Sequence, residues 1–84
     1  MSAEEKIEQI ITGLDMLAED NSVPRNIRRG AVECKDWLRK KSEPLDVRSA
    51  SAIFKLDEMA NDPNIPLHGR TLIWNIISQL EQVE

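Results

Sequence analysis

Tyrosine is absent from the 84 residues, and Trp37, Trp74 and Phe54 are the only aromatics. Cys34 is the only cysteine, so an intramolecular disulfide is excluded and a reducing compartment is expected. One His and one Cys cannot make a His/Cys zinc set. The three glycines are scattered at positions 13, 30 and 69, so no Gly-rich phosphate loop exists. No apolar stretch approaches the roughly 20 residues that a membrane helix needs. The first residues, MSAEEKIEQ, are acidic and polar, unlike a signal peptide. These absences predict a soluble cytoplasmic protein with no membrane association.

What is present favours helix. Glu, Lys, Leu, Ile and Ala dominate, and 40% hydrophobic with 31% charged residues suits a folded globule. A chain of this length predicts one domain, residues 1–84. The net charge of −4 is unevenly spread. Residues 1–20 carry six acids against Lys6, whereas residues 21–42 carry seven bases against Glu33 and Asp36. A basic second helix between acidic neighbours either pairs with them or offers a surface to phosphates.

The phrases DNSVPRNIR, from Asp20, and DPNIPLHGR, from Asp62, lie 42 residues apart. Laying 1–42 over 43–84 gives eight identities, among them Leu14/Leu56, Ala18/Ala60, Asp20/Asp62, Pro24/Pro66 and Arg28/Arg70. Each half reads as helix, short loop, helix. Ser2 and Glu5 have capping-box spacing, and Ile7, Ile10, Ile11, Leu14, Leu17 and Ala18 follow a helical period. Ser22 and Asn64 are expected as helix caps, with Pro24 and Pro66 in the first turns that follow. Ile27, Ala31, Cys34 and Leu38 form the apolar line of the second helix, and Gly30 marks close packing. KKSEP reads as the linker between hairpins 1–42 and 43–84. The third helix is expected from near Pro44 to about Ala60, with Val47, Ala50, Ile53, Phe54 and Met59 or Ala60 buried. Arg28 and Arg70, one turn into their helices, can reach back to the Asp or to carbonyls of the preceding helix. The predicted fold is all-α, a compact up-and-down four-helix bundle built from two similar helical hairpins.

Few residues suggest chemistry. Cys34 lies on an apolar line, which suits a buried thiol better than a nucleophile. His68 starts the fourth helix, where the dipole disfavours its charged form. Asp57 and Glu58 are adjacent on a helix and point about 100° apart, so they do not converge on a metal. No catalytic residue, metal site or cofactor is assigned. Two surfaces remain. In TLIWNIISQL the apolar residues spread over roughly 200° of arc, more than a bundle face needs. Either this helix is sheltered deeply, or Trp74 and Ile77 form a patch for self-association or a protein partner. Arg25, Arg28, Arg29, Lys35, Arg39 and Lys40 form stripes on the second helix that could contact RNA phosphates. No exposed aromatic interleaves them, as single-strand binders usually show.

EDNSVPRNIRRGA and LDEMANDPNIPLHGRTLIWNIISQLEQVE together resemble members of a small archaeal group, uncharacterised protein family UPF0147. The resemblance covers nearly the whole chain. It implies a compact all-helical four-helix fold in an archaeal cytoplasm, and it transfers no catalytic or binding residues. The expected function is therefore non-enzymatic, a helical protein-interaction or self-associating module, with accessory RNA binding by the basic helix as the alternative.

Overall fold

The computed structural model describes residues 2–83. Four helices account for the regular structure of those residues: α1 Ala3–Ala18, α2 Arg25–Leu38, α3 Leu45–Ala60 and α4 Leu67–Glu81. Each packs on the next, and α4 closes back on α1. The result is an all-α up-and-down four-helix bundle, 33 × 21 × 19 Å. Helices of 14 to 16 residues run about 1.5 Å per residue, which accounts for most of the long dimension.

One hydrophobic core joins all four helices. Ile7, Ile10, Ile11, Leu14 and Leu17 are buried on α1, and Ile27, Ala31, Cys34 and Leu38 on α2, as their periods predict. At Gly30 the Met59 side chain of α3 fills the space beside α2, where a Cβ would lie 2.5 Å from Met59 Sδ. The capping box at Ser2 is formed in both directions, with Glu5 Oε1 accepting the Ser2 N–H at 3.0 Å.

The three connections are one structure built three times. Residues 19–24, 39–44 and 61–66 pass through the same sequence of turns and bends between helices. The sequence alone makes KKSEP a linker; the structure makes it the middle corner of the three. Each corner ends in Pro, and an Arg follows four residues later: Pro24/Arg28, Pro44/Arg48 and Pro66/Arg70. The prolines are the cap residues themselves, not members of the first turn. Their backbones are extended, with ψ near 150°. Their carbonyls accept the first helical hydrogen bonds, from Arg28, Arg48 and Arg70 at 3.1 Å. Ser22 and Asn64 therefore do not cap. Their backbone N–H groups instead donate to Asp20 and Asp62 Oδ1, at 2.9 and 2.8 Å, in Asx turns that hold the corners.

The arginines tie each corner down. Arg28 donates to the Val23 carbonyl at 3.1 Å. Arg70 donates to the Ala60 carbonyl at 3.0 Å and to that of Asp62 at 3.4 Å. Both therefore take carbonyls, and neither takes the Asp side chain as partner. Arg48 is the most committed of the three and is 4% exposed. It donates to the carbonyls of Glu43 and Leu38, and its third contact is the Glu4 carboxylate at 3.0 Å. It thus ties the last turn of α2, the middle corner and the first turn of α1.

This tie fixes which face of α3 is inside: Met59 and Ala60 are buried as expected, but Val47, Ala50 and Phe54 are not. The buried residues are Arg48, Ser49, Ala52, Leu56, Met59 and Ala60. Ala50 is exposed, Ile53 is only partly buried, Val47 is 43% exposed and Phe54 is 76% exposed. With Arg48 drawn inward by three acceptors, the stripe through Val47 and Phe54 must turn to solvent.

Candidate functional site

At one end of the bundle the first and third corners meet. Asp20 Oδ1 accepts the Ser22 hydroxyl at 2.6 Å, and Asp20 Oδ2 accepts the His68 ring N–H at 2.8 Å. Across the same junction Asn26 donates to Asp62 Oδ2 at 2.8 Å. The pairs Asp20/Asp62, Ser22/Asn64 and Asn26/His68 are each 42 residues apart. Each Asp uses one oxygen for its own corner and the other for the second residue of the opposite hairpin's helix. The repeated phrase is therefore a reciprocal clasp. Val23 and Ile65 are buried beneath it, and both line the space a Cβ on Gly69 would enter.

The clasp sets the carboxyl chemistry. Hydrogen bonds from the Ser22 hydroxyl and N–H, with His68 third, hold Asp20 down to about 2. The Asn26 amide and then the Asn64 N–H lower Asp62. Ser22, His68 and Asp20 have the composition of a nucleophile triad but different geometry. A triad places the acid on Nδ1 and the hydroxyl on Nε2. Here Nε2 faces both, with Ser22 Oγ at 3.2 Å, and the hydroxyl gives its proton to Asp20. These contacts join α4 to the first corner.

Cys34 is fully buried, its thiol directed at the Ala52 carbonyl 3.8 Å away. Burial, and then the charge of Glu33, pushes it up to about 12. Among the described residues no three His, Cys, Asp or Glu side chains are grouped to hold a metal ion. No helix among them is long and apolar enough to cross a membrane.

The basic residues of α2 are largely engaged. Lys35 pairs with Asp15 at 2.5 Å and Arg39 with Glu8 at 3.8 Å, joining α2 to the acidic α1. Lys40 pairs with Glu43 at 3.8 Å, and Arg28 holds its corner. Arg25 and Arg29 are exposed and form no ion pair among the described residues. The six residues thus lie on one helix and its following corner, but four of them are partnered within the fold.

Two apolar surfaces face solvent. On α4, Ile73, Ile76 and Leu80 are buried, Ile77 packs against the core from its edge, and Trp74 is 55% exposed. Leu72, Asn75, Ser78 and Gln79 line a groove of about 520 Å³ against α1, over Gly13 and Ile76. At about 100° per residue this places Trp74 and Ile77 on the other flank, toward α3. The second surface includes Ala50 and Phe54, both expected in the core. Trp37 of α2 and Ala50, Ser51 and Phe54 of α3 line a shallow concavity of about 440 Å³.

The model of the Uncharacterised protein family (UPF0147) matches residues 1–83. A UPF0147 protein of Methanosarcina acetivorans is 54% identical over 79 residues, covering 94% of this chain and 81% of its own length. One from Methanocaldococcus jannaschii is 48% identical over 87 residues, covering 99% and 94%. The crystal structure of a protein of that family from Thermoplasma acidophilum superposes with a TM-score of 0.91 at 42% identity, covering 98% of each chain.

Proposed function

The chain belongs to the uncharacterised protein family UPF0147, and we propose that it is a non-enzymatic helical module that acts by associating with protein. One observation carries this reading: α3 buries Arg48 and Ser49 beside Ala52, Leu56 and Met59 and leaves Val47, Ala50 and Phe54 outside. An exposed Phe forgoes about 1.5–3 kcal/mol that burial would supply, and clustered exposed apolar side chains mark interaction surfaces. Trp74 adds a second exposed aromatic on α4, the helix that packs beside α3. Aromatic anchors of this kind carry much of the binding energy at protein interfaces. Trp74 and Ile77 belong to this reading as its α4 flank, with Trp74 the contact residue and Ile77 its partly buried support.

The test uses the whole chain immobilised in archaeal lysate, with and without nuclease, beside its Phe54→Glu and Trp74→Glu variants. Retained proteins are identified, purified and bound again. Purified protein that rebinds the native chain and not the Phe54→Glu variant supports the reading. Retention that collapses with nuclease, or that neither variant changes, overturns it. The nuclease-sensitive outcome would instead point to RNA held by Arg25 and Arg29.

A further inference from the structure

We infer that the bundle opens along one line, the α1–α4 seam: the two hairpins part there as intact units about the α2–α3 contact, and the clasp is the latch that holds them shut. The inference uses other residues than the association reading and stands without it.

Among neighbouring helices, only this pair lacks a polar fastening along its length. Lys35–Asp15 and Arg39–Glu8 tie α1 to α2. The Lys55–Glu33 pair, at 3.6 Å, and the bond from Arg48 to the Leu38 carbonyl tie α2 to α3. Arg70, donating to the Ala60 carbonyl, ties α4 to α3. Among the described residues no side-chain hydrogen bond or ion pair joins α1 to α4, although Gln9, Asn75, Ser78 and Gln79 line the groove between them.

Packing follows the same line. Of the four neighbouring pairs, α1 and α4 share the least contact. The groove of about 520 Å³ passes over Gly13 and Ile76, and a second of about 250 Å³ reaches Ile10 between Lys6, Gln9 and Gln79. Gly13 is not required by the fold. Its backbone is not left-handed, and a Cβ there would lie 3.4 Å from Ile76, an ordinary contact. Glycine weakens a helix interior relative to alanine, and here it also leaves the seam a methyl group short.

The fastenings stand at the two ends of the seam. At one end is the clasp, His68 to Asp20 and Asn26 to Asp62, and both contacts join one hairpin to the other. At the other end Arg48 holds Glu4 at 3.0 Å. Parting the seam breaks these contacts and keeps the rest: both Asx turns, the Arg28 and Arg70 ties and the Arg48 bond to Leu38. Openings that fall between whole supersecondary units are the cooperative kind. Ile10 and Ile76 would meet solvent in that state. Cys34 would not, because its thiol is directed at the Ala52 carbonyl within the α2–α3 contact.

The experiment is thiol labelling of the folded full chain carrying Ile10→Cys, with Cys34 as the internal reference and each rate divided by its rate in denaturant. Circular dichroism first establishes that each variant is folded, and Ile76→Cys repeats the measurement from α4. The introduced thiol is expected to react at least about tenfold faster than Cys34, since it needs only the seam to part. Equal protection of the two thiols overturns the inference, because the chain then opens only as a whole. Adding Asn26→Ala with His68→Ala should speed both thiols by the same factor, since the clasp is absent from the open and the unfolded states alike. An introduced thiol that ignores this double variant reports a fluctuation local to α1 and overturns the latch. Gly13→Ala should slow the Ile10→Cys thiol severalfold, and faster labelling would show that the fold needs the glycine and that the seam is not weakened by it.

Discussion

Ser49 is the one buried side chain whose polar atom lacks a hydrogen-bond partner, among the described residues. A buried hydroxyl without a partner costs about 1–3 kcal/mol, and its removal by a residue of similar shape recovers part of that. Ser49→Ala is therefore expected to stabilise the fold by about 1 kcal/mol, read as a higher urea midpoint at unchanged slope. An unchanged or lower midpoint would mean that the hydroxyl has a partner. Arg48 is the opposite case on the adjacent position. Replacing it by Ala leaves the buried Leu38 carbonyl without its donor and should cost about 1–3 kcal/mol. Arg48→Lys should recover less than half of that, since one ammonium cannot reach the two carbonyls and the carboxylate held by a planar fork. A Lys variant as stable as the native chain would show that charge alone matters. Nothing in the residue types announces this role. Arg48 aligns with Lys6 in the 42-residue repeat, and only the thrice-written Pro-x-x-x-Arg spacing gives it away.

Among the elements, α1 and α2 are legible because their apolar residues occupy one arc each, with charges on the rest. Helix α3 is not. Leu45, Val47, Ala50, Ala52, Ile53, Phe54, Leu56, Met59 and Ala60 spread over roughly 240° of arc, so period alone does not single out the inner part of it. The choice is made by a polar group, the Arg48 guanidinium, whose acceptors lie on α2 and α1 and are invisible from the local pattern. The candidate interaction surface was therefore only half readable. Trp74 stood out as surplus to a bundle face, while Phe54 was absorbed into an expected core. The basic stripe of α2 was readable as a stripe, but its use was not, because Asp15 and Glu8 meet Lys35 and Arg39 only after α1 has folded onto α2. Corner chemistry fared similarly. Asp, Ser or Asn, Pro and Arg marked the turns, but which group caps and which is capped depended on the proline's own backbone.

At the scale of the molecule, several carboxylates are lowered by contacts that exist only in the folded state. Asp20 moves from 3.8 to about 2, and Asp62, Glu4 and Glu5 move in the same direction. A depressed folded value means that the contribution is complete above the unfolded value and disappears as the pH falls through the folded one. The native chain should lose thermal stability from near pH 3.8 down to about pH 2, the window Asp20 sets. Asp20→Asn with Asp62→Asn should start less stable at neutral pH and lose less across that window, followed by circular dichroism melts at each pH. Parallel curves for the two proteins would remove the clasp as a source of acid sensitivity.

The clasp also has a bearing on time. Each corner reverses the chain within six residues, whereas the clasp joins partners separated by 48 and 36. Short loops close before long ones, at less entropic cost. The hairpins can thus assemble from contacts between chain neighbours, and the clasp engages only when the α1–α4 seam shuts. Interactions formed that late sit beyond the folding barrier and act chiefly on the unfolding rate. Breaking the clasp by Asn26→Ala with His68→Ala is therefore expected to raise the unfolding rate more than it lowers the folding rate, read from the two arms of a denaturant chevron.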